Sequence, residues 1–321
     1  MSNEKIDEID LEDVPGLGRI TALKLRNAGI GSVKQLVLYT AEELEELAKI
    51  DPGRAALILR NARALLKAGT KVYTMEEFEK DFYKRELLTT GVSSIDELLG
   101  GGLEPASIYE FAGEFGSGKT QLCHQLSITV QLSKNKGGVG GKAFYVDTEG
   151  TFSPERIRSI AKRFGINVSV AVKGIFYARP INVEYLEDLV KGDLIGYIES
   201  ENVRLIIIDS IIALYRAEFR GREFLARRQQ RINYILDWLK RIGKSYNTFI
   251  VITNQIITAP TGFATIKIPA GGNIIAHAST HRFLMKKADN VWRIESFDSP
   301  RIPKGRAALF KITDKGLIDV S

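Results

Sequence analysis

Gly113-Glu-Phe-Gly-Ser-Gly-Lys-Thr120 matches the pattern G-x-x-x-x-G-K-[ST], whose residue types and spacing can hold a triphosphate. Gly113 and Gly118 permit a tight backbone path, and the amides of Glu114, Phe115, Gly116 and Ser117 would cradle the phosphates. Lys119 is placed to reach the β- and γ-phosphates and Thr120 to ligate Mg²⁺. Three further polar residues follow apolar runs. Asp209, closing Ile206-Ile-Ile-Asp-Ser210, has the setting of a carboxylate that holds Mg²⁺ directly or through water. Glu149, in Asp147-Thr-Glu-Gly150, can orient and deprotonate the water that attacks the γ-phosphate. Gln255, in Thr253-Asn-Gln255, can sense that phosphate. Singly, each reads equally well as a turn or helix cap; the three together beside a phosphate loop read as a hydrolytic site. His277 and His281 lie four apart, but no third ligand has matching spacing, so no histidine-held metal is expected. Cys123 and His124 read as packing or surface residues, and Trp238 and Trp292 as core.

The elements that must position these groups are legible around them. Ser107–Phe111 reads as a short buried strand before the loop, and Gln121–Leu132 as a helix whose positive N-terminus faces the anion. Ala143–Asp147, Val203–Asp209 and Thr248–Thr253 are short, continuously apolar and rich in β-branched or aromatic residues, with helical segments between them. That is the pattern of a buried, mainly parallel sheet in an α/β domain, which keeps its ligand site at the carboxyl ends of its strands. The domain begins near Thr89-Thr-Gly91 and is expected to span 89–321; residues 70–88, rich in charge and aromatics, read as a linker.

The first 69 residues form a separate, helical and glycine-punctuated domain. Val14-Pro-Gly-Leu-Gly18 opens one helix that stops near Gly29, and Lys49-Ile-Asp-Pro-Gly-Arg54 opens another. This half-repeat fits a tandem helix-hairpin-helix, whose glycine turn can offer backbone N–H groups to DNA phosphates, or a small bundle that only packs or recruits partners. The chain has 321 residues, 44% hydrophobic and 26% charged, with a net charge of +6. Residues 1–69 hold 10 basic and 11 acidic side chains, so the remainder carries an excess of +7, compatible with a polyanionic partner. One cysteine excludes a disulfide framework, and neither a signal peptide nor an apolar run of about 18 residues is present, so a cytoplasmic protein without a membrane partner is expected.

Two segments separate this chain from ATPases in general. Residues 216–231 contain Arg216, Arg220, Arg222, Arg227, Arg228 and Arg231 against two glutamates, interleaved with Phe219 and Phe224. Arginine forks on phosphates and aromatic stacking on bases would bind single-stranded nucleic acid; a solvated helix face is the bland reading. Residues 259–272, rich in glycine and proline, read as a long mobile loop that starts beside Gln255 and could couple nucleotide state to a ligand.

Taken together, Gly113–Gln121, Tyr145–Arg156, Ile206–Ser210, Ala226–Gln230, Thr253–Gln255, Gly271-Gly272 and Asp298–Gly305, all in order, resemble the archaeal RadA recombinases of the RecA-like strand-exchange family. The resemblance covers nearly the whole chain. It implies a RecA-like P-loop ATPase core behind a helix-hairpin-helix domain. It implies a DNA-dependent ATPase that forms a helical filament, or rings, on single-stranded DNA, pairs it with homologous duplex in recombinational repair, and works with accessory proteins at the nucleoid. ATP and Mg²⁺ would be its cofactors. By position, Gln121 belongs to the phosphate loop, Arg156 would stack on the adenine, and Asp298 and Pro303 would cap the nucleotide of the neighbouring subunit. Residues 216–231 and 259–280 correspond to the two DNA-binding loops, the second bringing Phe263, Lys267, Gly271 and Gly272. A regulatory paralogue and a hexameric helicase are the alternatives. The chain departs from the family at Val72-Tyr-Thr-Met75, where F-x-x-A is usual, and at Asn273, where a histidine is frequent.

Overall fold

The structure is a computed structural model that describes residues 9–67, 72–261 and 264–320. It divides into two compact units, Met1–Lys84 and Arg85–Ser321.

In the first unit, helices Arg19–Asn27, Val33–Leu36, Ala41–Ala48 and Pro52–Leu65 enclose Leu11, Leu25, Ile30, Leu36, Leu44 and Ile58. The caps explain the boundaries. Thr40 and Glu43 form a reciprocal capping box, and Asp51 caps the last of these helices with Pro52 in its first turn. The two glycine-turn halves are tied together: Asn61 donates to the Pro15 carbonyl at 2.6 Å and Arg54 to the Thr21 hydroxyl at 2.9 Å. Within the expected linker lies a further helix, Met75–Lys84, that buries none of its residues. Its start is a second capping box, with Thr74 N–H donating to Glu77 at 2.9 Å and Glu77 N–H to Thr74 Oγ1 at 3.3 Å. That T-x-x-E signal is present in the sequence, and charge and aromatic content obscured it.

The second unit is a ten-stranded sheet with helices packed on it. Its strands are β1 (Ile108–Gly113), β2 (Lys142–Asp147), β3 (Ile175–Ala178), β4 (Val203–Asp209), β5 (Phe249–Thr261), β6 (Ala264–Pro269), β7 (His281–Ala288), β8 (Val291–Asp298), β9 (Ala307–Thr313) and β10 (Gly316–Asp319). The order is β10-β9-β8-β7-β1-β5-β4-β2-β3, with β6 paired to β5. From β7 to β3 every pairing is parallel, and β7 through β10 continue as an antiparallel meander. The parallel strands are covered on both faces, which is why β1 and β4 are apolar nearly throughout. Tyr109, Phe111 and Phe283 stack across β1 and β7 in the core.

Two stretches fold differently from the sequence reading. Residues 259–272 are not a plain loop: β5 runs on to Thr261 and pairs antiparallel with β6, before a helix over Gly272–Ala278. Thr265-Ile-Lys-Ile268 carries the β-branched run that supports this hairpin, and the surrounding glycines and prolines masked it. The second half of the arginine segment belongs to a long helix, Leu225–Tyr246, anchored by Ile232, Ile235, Leu236, Trp238, Leu239 and Ile242 at helical spacing. Trp238 is core, as expected.

Candidate nucleotide site and its flanking basic segments

Strand register brings the candidate residues into one row. Gly113 of β1 lies opposite Gln255 of β5, Ile252 opposite Ile208 of β4, and Asp209 opposite Asp147 of β2. The phosphate loop therefore leaves β1 beside the strand ends that carry Asp209, Glu149 and Gln255. Only Gln255 differs from expectation in its setting, since β5 continues past it into the hairpin.

The loop's glycines are required by the backbone. A Cβ on Gly113 would sit 2.3 Å from Ser117 Oγ and 2.4 Å from the Met285 carbonyl, and Gly118 has φ +95°. Lys119 folds back over the loop, donating to the carbonyls of Gly113 at 2.8 Å and Glu114 at 2.9 Å. Burial pushes its ammonium below the usual range, against the pull of Asp209 and Glu149. Thr120 opens the helix Lys119–Thr129 and donates to Asp209 Oδ2 at 2.8 Å. Tyr145 donates to the same oxygen at 2.7 Å, and Thr253 donates to Oδ1. A hydroxyl and a carboxylate in contact, both hard oxygen donors, suit Mg²⁺.

Asp147 has a different task. It accepts N–H bonds from Gly150 at 2.7 Å, from Glu149 and Thr151 at 3.2 Å and from Phe152 at 3.1 Å, which fixes the turn that presents Glu149. Glu149 then accepts from Gln255 Nε2 at 2.8 Å, and Gln255 Oε1 accepts from Arg216 at 3.0 Å. Next to the loop opens a cleft of about 560 Å³ lined by Phe115, Gly116, Lys119, Thr120, Gln121, Glu149, Arg156, Trp292 and Ile312, among others. Arg156 is held in it by Gln121 at 2.8 Å and the Thr313 carbonyl at 2.7 Å. Trp292 is only partly buried: it packs against the core, lines the cleft and donates to the Gly116 carbonyl at 3.0 Å. Sequence reading also missed Ile312, Thr313 and Asp314, which arrive from β9 and the turn after it with no local signal. His124, beneath this region, is fully buried between Tyr145 and Phe152 and accepts from Ser153 N–H at 3.2 Å. Burial, then Arg156, lowers its pKa to about 4.

The Rad51 family model matches residues 84–320, and a SAM-like tandem helix-hairpin-helix model matches residues 8–70. The chain is 39% identical to the "DNA repair and recombination protein RadA" of Aeropyrum pernix over 321 residues, covering 99% of each. The chain belongs to the Rad51 family.

In this Rad51-family chain the arginines of 216–231 divide. Arg231, one of the arginines expected to meet DNA, forms a forked pair with Glu187, at 3.0 and 2.7 Å, and Glu187 also accepts from Tyr215 at 3.1 Å. Arg228 is spent on the Phe219 carbonyl at 3.0 Å. Phe219 itself is buried beneath Arg227 and Arg231 rather than open to bases, whereas Phe224 is exposed. Arg220 bonds the nearby Ala217 carbonyl at 2.9 Å. Arg220, Arg222 and Arg227 are exposed, the last of them in the first turn of a helix without a side-chain cap. In the hairpin, Lys267 is exposed and pairs with Glu114 of the phosphate loop at 2.6 Å. Gly271 and Gly272, both at positive φ, make the turn into the next helix. Phe263 lies outside the described residues.

The expected cap segment leaves β8 at Asp298, which is exposed, as is Pro303. Its turn is anchored from below: Ser299 Oγ accepts from Ile302 N–H at 3.1 Å and meets His281 Nδ1 at 2.8 Å, while His281 Nε2 meets Glu104 at 2.7 Å. Arg301 pairs with Glu104 at 2.9 Å. Burial pushes the Glu104 carboxyl up, but His281, Arg301 and Arg85 outweigh it and hold it below the usual range. His281 is thus a structural bridge, His277 is exposed, and no metal-holding cluster exists among the described residues. Among the same residues no helix is long and apolar enough to cross a membrane.

Proposed function

We propose that the site binds ATP with Mg²⁺ and that hydrolysis there governs a protein filament on single-stranded DNA. As a Rad51-family member the chain is a DNA-dependent ATPase of recombination and repair, and nucleotide binding follows from that membership. The observation that carries the finer reading is the unbroken line Arg216–Gln255–Glu149, which joins a basic segment to the candidate water-activating carboxylate. The loop amides and Lys119 hold the phosphates, and Arg156 lies against the base. Glu149 takes a proton from the attacking water while Gln255 reads the γ-phosphate. Thr120 and Asp209 would hold Mg²⁺, which supplies charge neutralisation on the phosphate oxygens.

Single-stranded DNA would be met by Arg216, Arg220, Arg222, Arg227, Lys267 and the Gly271-Gly272 turn, and homologous duplex would be the second substrate. Asp298 and Pro303 would complete the nucleotide site of a neighbouring copy, which makes assembly into filaments or rings part of the chemistry. The nucleotide then acts as a clamp for the DNA-competent assembly, released on hydrolysis. A cytoplasmic setting at the nucleoid and recruitment of accessory proteins accord with this role. Electron microscopy with single-stranded DNA and a slowly hydrolysed ATP analogue should show regular filaments, and the same mixture should form D-loops with homologous duplex. Nucleotide-driven unwinding without D-loops would mark a helicase, and DNA binding with neither activity a regulatory paralogue.

A further inference from the structure

We infer that Glu110 and Asn254 are positioning residues: together they clamp shut the base of the 255–270 hairpin and thereby make Gln255 responsive to what the hairpin holds. The inference rests on the reading that this hairpin meets single-stranded DNA.

Glu110 lies in the middle of β1 and Asn254 one residue before Gln255 on β5, and both are 0% exposed. Every polar atom of the pair has a specific use. Glu110 Oε2 accepts from Arg282 of β7 at 2.6 Å, and Oε1 accepts from Asn254 Nδ2 at 2.7 Å. The same Nδ2 donates to the Ala270 carbonyl at 2.7 Å, and Asn254 Oδ1 accepts the Gln255 N–H at 2.8 Å. Ala270 N–H in turn donates to the Gln255 carbonyl at 2.8 Å. The outgoing and returning chains of the hairpin are therefore joined at residues 255 and 270 by one amide side chain, whose orientation is set by a buried carboxylate.

A buried ion pair such as Glu110–Arg282 gains little over apolar residues of similar size, because both charges must be stripped of water. What it supplies here is direction. Arg282 fixes the carboxylate, the carboxylate fixes the Asn254 amide, and the amide fixes both the hairpin's closing point and the backbone of the γ-phosphate reader. A rotation of the hairpin on DNA is thus delivered to Gln255 rather than absorbed in a slack junction, and from Gln255 to Glu149 through the bond already described.

Asn254→Asp keeps shape but removes the Nδ2 donors and sets two carboxylates face to face. In the full chain with Mg²⁺, ATP-analogue affinity should stay within about two-fold, while the ratio of DNA-stimulated to DNA-free kcat falls by roughly ten-fold or more, with KM for ATP little changed. Glu110→Gln in the same chain as Asn254→Asp exchanges amide and carboxylate across the bond and keeps the total charge. This double variant restores the 110–254 bond but not the Nδ2 donation to the Ala270 carbonyl, so it should regain thermal stability lost in Asn254→Asp while its stimulation stays low, a separation that a simple packing defect would not give. Glu110→Gln alone keeps one acceptor oxygen and turns an NH₂ towards the donor of either Arg282 or Asn254; it should lower the ratio about three-fold and serves if Asn254→Asp does not fold. Parental stimulation in Asn254→Asp or in Glu110→Gln overturns the clamp, as does a double variant whose stimulation recovers together with its stability. Failure of the DNA reading is distinguishable: Lys267→Ala then binds single strands with parental affinity and salt slope. A failed clamp alone leaves Lys267→Ala weakened and Asn254→Asp fully stimulated.

Discussion

The two polar regions at the carboxyl edge of the sheet use their side chains in opposite ways. At the phosphate loop, polar groups bond to one another: Lys119 to loop carbonyls, Thr120 and Tyr145 to Asp209, Asp147 to a run of four amides. In the 216–231 segment, the arginines split between internal bonds and solvent, and neighbours in sequence have different tasks. The first region is held in shape by its own hydrogen bonds, so it suits charge development in a transition state. The second keeps loose cations at its surface, which suits a polyanion of variable sequence.

The largest test of this contrast is at the loop. Lys119→Ala should abolish measurable nucleotide binding, whereas Glu149→Gln should bind ATP normally and hydrolyse it about 10²-fold more slowly or worse in single-turnover assays. Wild-type hydrolysis by the Glu149 variant would remove that residue from the chemistry.

A region held in shape this way should also be sensitive to acid. His124 has a folded pKa of about 4 against an ordinary 6.5, so the unfolded chain binds its proton first. Its stabilisation is complete above pH 6.5 and is lost as the pH falls towards about 4, by at most roughly 3 kcal/mol. Urea midpoints measured across that window should fall less steeply in His124→Gln than in the parent; parallel curves would contradict the assignment.

Within the arginine segment, the contrast predicts that Arg231 behaves as structure. Arg231→Ala leaves the buried Glu187 without its cation and should cost about 1–3 kcal/mol in thermal unfolding, with the salt slope of single-strand binding unchanged. Its exposed neighbours should show the reverse. Replacing Arg220, Arg222 and Arg227 with Ala should leave stability nearly untouched and flatten the log–log salt slope by roughly 0.7 for each DNA phosphate no longer neutralised. An unaltered slope would restore the reading of a solvated helix face.

Sharing of the site between copies gives the smallest signal, since only some junctions recover. Mixing Lys119→Ala with Asp298→Ala should regain part of the DNA-stimulated ATPase, because some junctions pair an intact loop with an intact cap. Co-sedimentation showing mixed assemblies without any regain would place the cap within its own chain.

The amino-acid sequence by itself determined the α/β core behind a helix-hairpin-helix domain, the phosphate loop, and the strands that end at Asp147 and Asp209. Each of these is written in contiguous residues: a glycine pattern forced by backbone sterics, or an apolar run whose burial leaves one outcome. The settings of Phe219, Arg231 and Trp292 were not legible because burial and pairing of a side chain depend on partners far along the chain, such as Glu187 for Arg231 and Gly116 for Trp292. Only the tertiary structure decided that residues 255–270 close as a hairpin on Asn254, that His281 bridges Glu104 and Ser299, and that Arg216 reaches Glu149 through Gln255. The physical reason is that local pattern sets which elements form, whereas strand order and register set which side chains meet, and those pairings are carried by no single stretch of sequence.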